Sequence, residues 1–228
     1  MQASSGPRNR EVKALLFDMD NTLWDFVTAK QAACHAVVDF LKVGDGEDLY
    51  QYFRRPGVGF EDPENILDYI RDINAPASSF PRCCTVYEKT KLAAIRPYEG
   101  AAETLASLSD AGIPLAIVTD AHSSQAKRRL EKAGLSEYFS CIVTPDISGQ
   151  RKPDPASFLY ALRALPADAA EAMVVGDSIR REIEPAQGLG MKTAYALYGD
   201  RSDGPAPLIC RPDFVLHDIR ELIEILGI

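Results

Sequence analysis

An α/β fold, with a parallel sheet covered by helices and an all-helical insertion, follows from three features of the 228-residue chain. Short apolar runs alternate with longer stretches of helical periodicity, as in strand–helix–strand crossovers. Polar residues of chemical interest follow several of those runs, at the edge where open parallel sheets bind ligands. Between residues 25 and 97 no run reads as a strand.

Residues 12–17 (VKALLF) predict the first strand, ending at Asp18. Residues 26–41, apolar at Val27, Ala33, Val37, Phe40 and Leu41, predict a helix. Further helices are expected over 47–53, 63–73 and 87–95, with turns at Gly57-Val58-Gly59 and Asn74-Ala75-Pro76-Ala77. About 70 residues is far more than a strand-to-helix connection uses, so the interval reads as a subdomain of its own. Then come a helix over 100–111, a strand over 113–118 (IPLAIV) ending at Thr119, and a helix over 123–133. A short strand over 141–144, a helix over 155–165 and a strand over 172–175 follow, the last running into Gly176-Asp177. A helix over 179–189, a strand over 191–195 and an amphipathic helix over 219–226 complete the pattern. The expected organisation is a core of 11–24 and 97–228, a helical insertion of 25–96 and a flexible tail of 1–10.

Lys and Arg total 25 against 33 Asp and Glu, a net charge of −8. That excess argues against a nucleic-acid partner, which needs a basic face for phosphates. A small anionic ligand stays compatible, because a local group of cations and amides outweighs the global sign. No apolar run approaches the ~20 residues of a membrane span, so no membrane partner is expected. Residues 1–10 are polar with no apolar segment and do not read as a secretory signal. The five cysteines are odd in number and scattered, and the three histidines are dispersed. Neither a disulfide framework nor a zinc site is expected, and a cytoplasmic location is. The choice between monomer and homodimer stays open.

Four clusters carry chemistry. Asp18-Met19-Asp20-Asn21-Thr22-Leu23 places two carboxylates two residues apart just beyond the first strand, an arrangement that serves a metal, a nucleophile or an acid/base. A solvated turn reads equally well from the pair alone. Thr119-Asp120 offers a hydroxyl and backbone N–H groups ahead of a helix, either an anion cradle or an ordinary helix cap. Arg151-Lys152-Pro153-Asp154-Pro155 holds a lysine on a proline-stiffened segment, as a fixed charge or as plain surface loop. Val174-Val175-Gly176-Asp177-Ser178 ends a strand in an acid with Glu182 one helical turn later, a Mg²⁺ ligand set or an acidic helix start. Their joint occurrence in this order, each after a strand, is more informative than any one of them.

On DMDNTL at 18–23, VTD at 118–120, RKPDP at 151–155 and VVGDS at 174–178, the chain resembles the haloacid dehalogenase superfamily, most closely its phosphatase branch. The resemblance spans residue 12 to the C-terminus. It implies a Rossmann-like core, a helical cap formed by 25–96, and Mg²⁺-dependent hydrolysis of a small phosphorylated metabolite through an aspartyl-phosphate. Asp18 is the implied nucleophile and Asp20 the implied acid/base. Thr119, Asp120 and Lys152 are the implied phosphate-binding group. Asp18, Asp177 and the Asp20 backbone carbonyl are the implied Mg²⁺ ligands. The family often carries Asp where this chain has Glu182, whose expected place is just behind those ligands, and Asn is commoner where it has Asp120. Three rivals share the core. A dehalogenase typically lacks the second acid, because halide leaves without a proton. A sugar-phosphate mutase differs mainly in its cap. A non-catalytic binding module usually loses the nucleophile or the lysine. Trp24, Phe26, Arg54, Arg55, Lys89 and Tyr98 are candidates for the site entrance, with Arg54-Arg55 either meeting a second substrate anion or lying as an exposed basic pair.

Overall fold

The computed structural model describes residues 12–201 and 210–228. The tail expected over 1–10 lies outside the described residues. The strands are β1 (Ala14–Phe17), β2 (Leu115–Val118), β3 (Phe139–Val143), β4 (Ala172–Gly176), β5 (Lys192–Ala196) and β6 (Phe214–Leu216). The helices are α1 (Phe26–Leu41), α2 (Gly46–Arg54), α3 (Glu64–Asp72), α4 (Phe80–Ala94), α5 (Ala101–Asp110), α6 (Ser123–Ala133), α7 (Pro145–Ser148), α8 (Ala156–Ala164), α9 (Glu184–Gly188) and α10 (Glu221–Leu226).

The sheet is wholly parallel, in the order β3-β2-β1-β4-β5-β6. Every residue of β1, β2 and β4 is buried, so these strands are apolar on both faces. The strand order reverses at β1, which has β2 on one side and β4 on the other. This is the α/β Rossmann-like class the sequence predicts, and it puts the switch point directly after Phe17. Register does the rest. Phe17 lies level with Ile117 and with Val175, so Asp18, Thr119 and Asp177 emerge from three adjacent strands at nearly the same height. Beneath them Leu16, Val118, Val143, Phe158 and Val174 share one apolar cluster.

Three local features differ from expectation. β6 is a sixth strand where none was predicted; Phe-Val-Leu is only three residues long, with Val215 exposed at the sheet edge, so its alternation is too brief to read. The helix expected over 179–189 opens as a π turn, Ile179–Ile183, before α9. Ser178 Oγ accepts the Arg181 N–H, and Pro185 has no N–H to continue an α-helical ladder. The helix expected from 87 begins at Phe80, since Pro81 falls in the first turn, where no intrahelical donor is lost.

The chain divides into two compact units, one of Asp25–Arg96 and one of the residues on either side. The first is α1 to α4 around its own core, including Val37, Leu49, Phe53, Ile70 and Tyr87, with Phe53 stacked on Tyr87 at 4.9 Å. Asp25 caps α1 by accepting the Thr28 N–H at 2.9 Å. Among the described residues no helix is long and apolar enough to cross a membrane.

Candidate active site

Asp18 is buried at the end of β1, its backbone N–H donated to Val175 O at 2.8 Å. One carboxylate oxygen receives a hydrogen bond from Lys152 Nζ, which also donates to Val118 O at 3.0 Å and lies 2.7 Å from Glu182 Oε1. Lys152 is fully enclosed. Burial alone would drive its ammonium toward neutrality, but Asp18 and then Glu182 outweigh it and raise the pKa. The lysine is therefore a fixed positive charge against the candidate nucleophile.

The expected anchor Thr119 is buried after β2, donating its N–H to Val143 O at 3.0 Å and accepting the Ala121 N–H on its hydroxyl at 3.2 Å. The next residue resolves a point that the sequence leaves open. The Asp120 carboxylate accepts the Lys152 backbone N–H at 2.9 Å, while Arg151 Nη1 donates to the Asp120 carbonyl at 2.9 Å. Its other oxygen lies 3.8 Å from Arg181 Nη1. The charge of Asp120 thus has two partners: it holds the lysine-bearing loop and faces a guanidinium.

Thr22 Oγ1 lies 3.3 Å from Asp18 Oδ2 and 3.4 Å from Asp177 Oδ1, so the carboxylates from β1 and β4 meet at one hydroxyl. Glu182 reaches back from the π turn over Gly176, accepting the Ser178 N–H on Oε2 at 2.9 Å. A Cβ at position 176 would come 2.5 Å from Glu182 Cγ, which is why the strand ends in glycine. Glu182 therefore touches Lys152 directly. Burial raises the Asp177 pKa well above the usual carboxylate range, and neighbouring Asp18 and Glu182 raise it further. Burial raises Glu182 too, with Lys152 opposing.

Asp20 faces a different set. Trp24 Nε1 donates to Oδ1 at 2.9 Å, and Arg129 Nη1 donates to Oδ2 at 2.6 Å from α6. Two residues near these acids, Arg129 and Arg181, were not singled out in the sequence. Each sits in a run of basic residues (Lys127-Arg128-Arg129 and Arg180-Arg181), and only packing decides which member turns inward. Of the expected entrance residues, Arg55 is tied to Asn65 Oδ1 at 3.2 Å and to Asp68 within the helical unit. Phe26 is buried there, Trp24 is committed to Asp20, and Tyr98 packs edge-on against Tyr198 at 5.3 Å.

The donor chemistry suits Mg²⁺. Asp18 and Asp177 supply two carboxylates joined through Thr22, and all the available donors are oxygens. No cluster of three or more His, Cys, Asp or Glu positioned for a metal occurs among the described residues. Mg²⁺ does not require one, since it keeps several waters and takes one or two carboxylates. Burial, and then Asp18 and Glu182, disfavour the charged form of Asp177, an effect that a bound cation would offset.

The model of the haloacid dehalogenase-like hydrolase family matches residues 15–196. A glyceraldehyde 3-phosphate phosphatase from Pyrococcus abyssi is 30% identical over 82% of this chain and 82% of its own length. A phosphoglycolate phosphatase from Neisseria meningitidis is 30% identical over 93% of each chain. Among solved structures, a protein described as the HAD-hydrolase YfnB from Bacillus subtilis, bound to magnesium, superposes with a TM-score of 0.78 at 22% identity, over 96% of this chain and 100% of that one.

Proposed function

The chain belongs to the haloacid dehalogenase-like hydrolase family, and on that premise we propose that it is a Mg²⁺-dependent phosphatase of small phosphorylated metabolites, acting through an aspartyl-phosphate. The observation that carries this reading is the buried Asp18–Lys152–Glu182 group, with a second carboxylate, Asp20, two residues away on the same turn. A nucleophilic carboxylate must be directed and its charge offset, and Lys152, held by Val118 O and donating to Asp18, does both. Asp20 is retained, which favours oxygen leaving groups over halide, because an alkoxide needs a proton to depart.

In this reading Asp18 takes the phosphoryl group, splitting hydrolysis into two displacements. Thr119 and the Asp120 N–H hold the phosphoryl oxygens, and Lys152 offsets charge on Asp18 and the transferring group. Asp20 protonates the departing oxygen and then takes a proton from the water that attacks the intermediate. Asp18, Asp177 and the Asp20 carbonyl would hold Mg²⁺, which would supply positive charge to offset that of the nucleophile and the phosphoryl group. The helical unit 25–96 is the cap of this assignment. The relatives named above act on short carbon chains bearing one phosphate, and we place the substrate in that class. A cytoplasmic site of action fits the five unpaired thiols.

A panel of phosphorylated metabolites, including glyceraldehyde 3-phosphate and phosphoglycolate, ranked by kcat/KM tests the reading. Turnover of at least one is expected, lost on chelation, restored by Mg²⁺ and poorly restored by Ca²⁺, whose coordination is larger and looser. No turnover across the panel, or full activity after exhaustive chelation, overturns it.

The buried acids also predict a metal effect on stability. Asp177 and Glu182 have raised pKa values, so the folded chain keeps protons that the unfolded chain has released. The stability this contributes is full below the ordinary carboxylate range and is lost as pH rises through the raised values. Mg²⁺ replaces the missing protons, so its increment to Tm should be larger near pH 8 than near pH 5. An equal increment at both would show that Asp177 does not hold the metal.

A further inference from the structure

The guanidinium of Arg129 is buried (side chain 2% exposed) on α6, beside the apolar Ala126 and Leu130. Burying a guanidinium is costly, and an apolar residue of similar length would fill the same space without that cost. What the charge does is specific. Arg129 Nη1 reaches Asp20 Oδ2 at 2.6 Å, across 109 positions of sequence, while Trp24 Nε1 reaches Oδ1 at 2.9 Å from within the same loop. Each carboxylate oxygen is therefore held by a rigid planar donor from a different direction, which leaves the group one orientation.

We infer that Arg129 is a positioning residue: with the Trp24 indole it aims the Asp20 carboxylate for proton transfer. Because α6 begins directly after the Thr119–Ala121 turn, one helix carries the proposed phosphate cradle before its first turn and the grip on the proton-transfer group two turns later. Proton transfer demands close alignment, and a misplacement of about 1 Å costs as much as 10²-fold in rate. The kinetic part of this inference rests on the phosphatase reading; the spectroscopic part does not.

The test is a double-mutant cycle of Arg129→Met and Asp20→Asn, read with an alkyl phosphate and with nitrophenyl phosphate. Arg129→Met should lower kcat on the alkyl phosphate about 10- to 100-fold with KM nearly unchanged, and less on nitrophenyl phosphate, whose leaving group needs little protonation. In the Asp20→Asn background the same change should cost under about 3-fold. Arg129→Lys keeps the charge but lacks the planar fork, so it should recover only part of the rate. It also carries the test if the Met variant does not fold. Trp24 is the one tryptophan of the chain, so its indole N–H resonance reports the Asp20 contact with no activity needed. That resonance should move in Asp20→Asn and in the Arg129 variants. An equal kcat loss in both backgrounds, or an indole resonance that moves in Asp20→Asn but not in either Arg129 variant, overturns the inference. If the wild-type protein turns over no phosphate ester, the phosphatase reading falls, and the indole resonance alone decides the role of Arg129.

Discussion

Asp18→Asn should abolish turnover, lowering kcat by at least about 10⁴-fold, and should eliminate any covalent phospho-enzyme, because the amide is not a nucleophile and no neighbouring group replaces it. The fold should survive. Asparagine is nearly isosteric, and Lys152 keeps Glu182 at 2.7 Å. Removing one negative charge also relieves Asp177, whose protonation Asp18 favours. Tm in the absence of metal should therefore hold or rise while activity disappears. The check is rapid-quench detection of a hydroxylamine-labile phosphate in the wild-type protein and its absence in the variant, alongside thermal melts. Residual turnover within 10-fold of wild type would remove Asp18 from the chemistry.

Lys152→Met should damage both activity and stability. The ammonium is the counter-charge shared by Asp18 and Glu182, and all three groups are buried. Removing one member of a buried ion pair costs about 3–5 kcal/mol, which for a chain of this length lowers Tm by roughly 10 °C. Loss of a preorganised charge beside the transferring phosphoryl group should lower kcat by about 10²- to 10³-fold. Lys152→Arg should not recover it, since a planar guanidinium does not fit a pocket that also requires a hydrogen bond to Val118 O. A metal-free melt of Lys152→Met within 2 °C of wild type would mean that the carboxylates are not held by this lysine.

Most of the candidate site is legible because Asp18, Asp20, Thr119 and Asp177 lie in short contiguous motifs after strands; Lys152, expected directly after a strand, instead follows the short helix α7 on a proline-rich loop. Once β1, β2 and β4 pair in register, Asp18, Thr119 and Asp177 have no choice but to emerge together. Alternation of apolar runs with helical periodicity shows the strands, and the lack of such runs between 25 and 97 shows the helical unit. The same logic explains what was missed. β6 is too short for a period to register, and the π turn at 179–183 depends on Ser178 and Pro185 acting together. Which arginine of the pair 180–181 faces the acids follows from that turn.

The sequence by itself determined five of the six strands, the helical insertion, the acids at the strand ends and the lysine of the loop beyond α7, since periodicity and local motifs are properties of neighbouring residues. Only the tertiary structure decided their electrostatic partners. Arg129 is the last of three consecutive basic residues, 127–129, and nothing in that run marks it out until packing turns it inward to meet Asp20. Asp120 reads as a charge misplaced beside phosphate until the Lys152 loop folds over to donate to it. Glu182 reads as a substitute for a shorter acid until the π turn carries it over Gly176 to Lys152. Burial is what makes each pairing matter, because removing water strengthens every charge–charge contact, and burial is a property of the folded chain rather than of any segment of it.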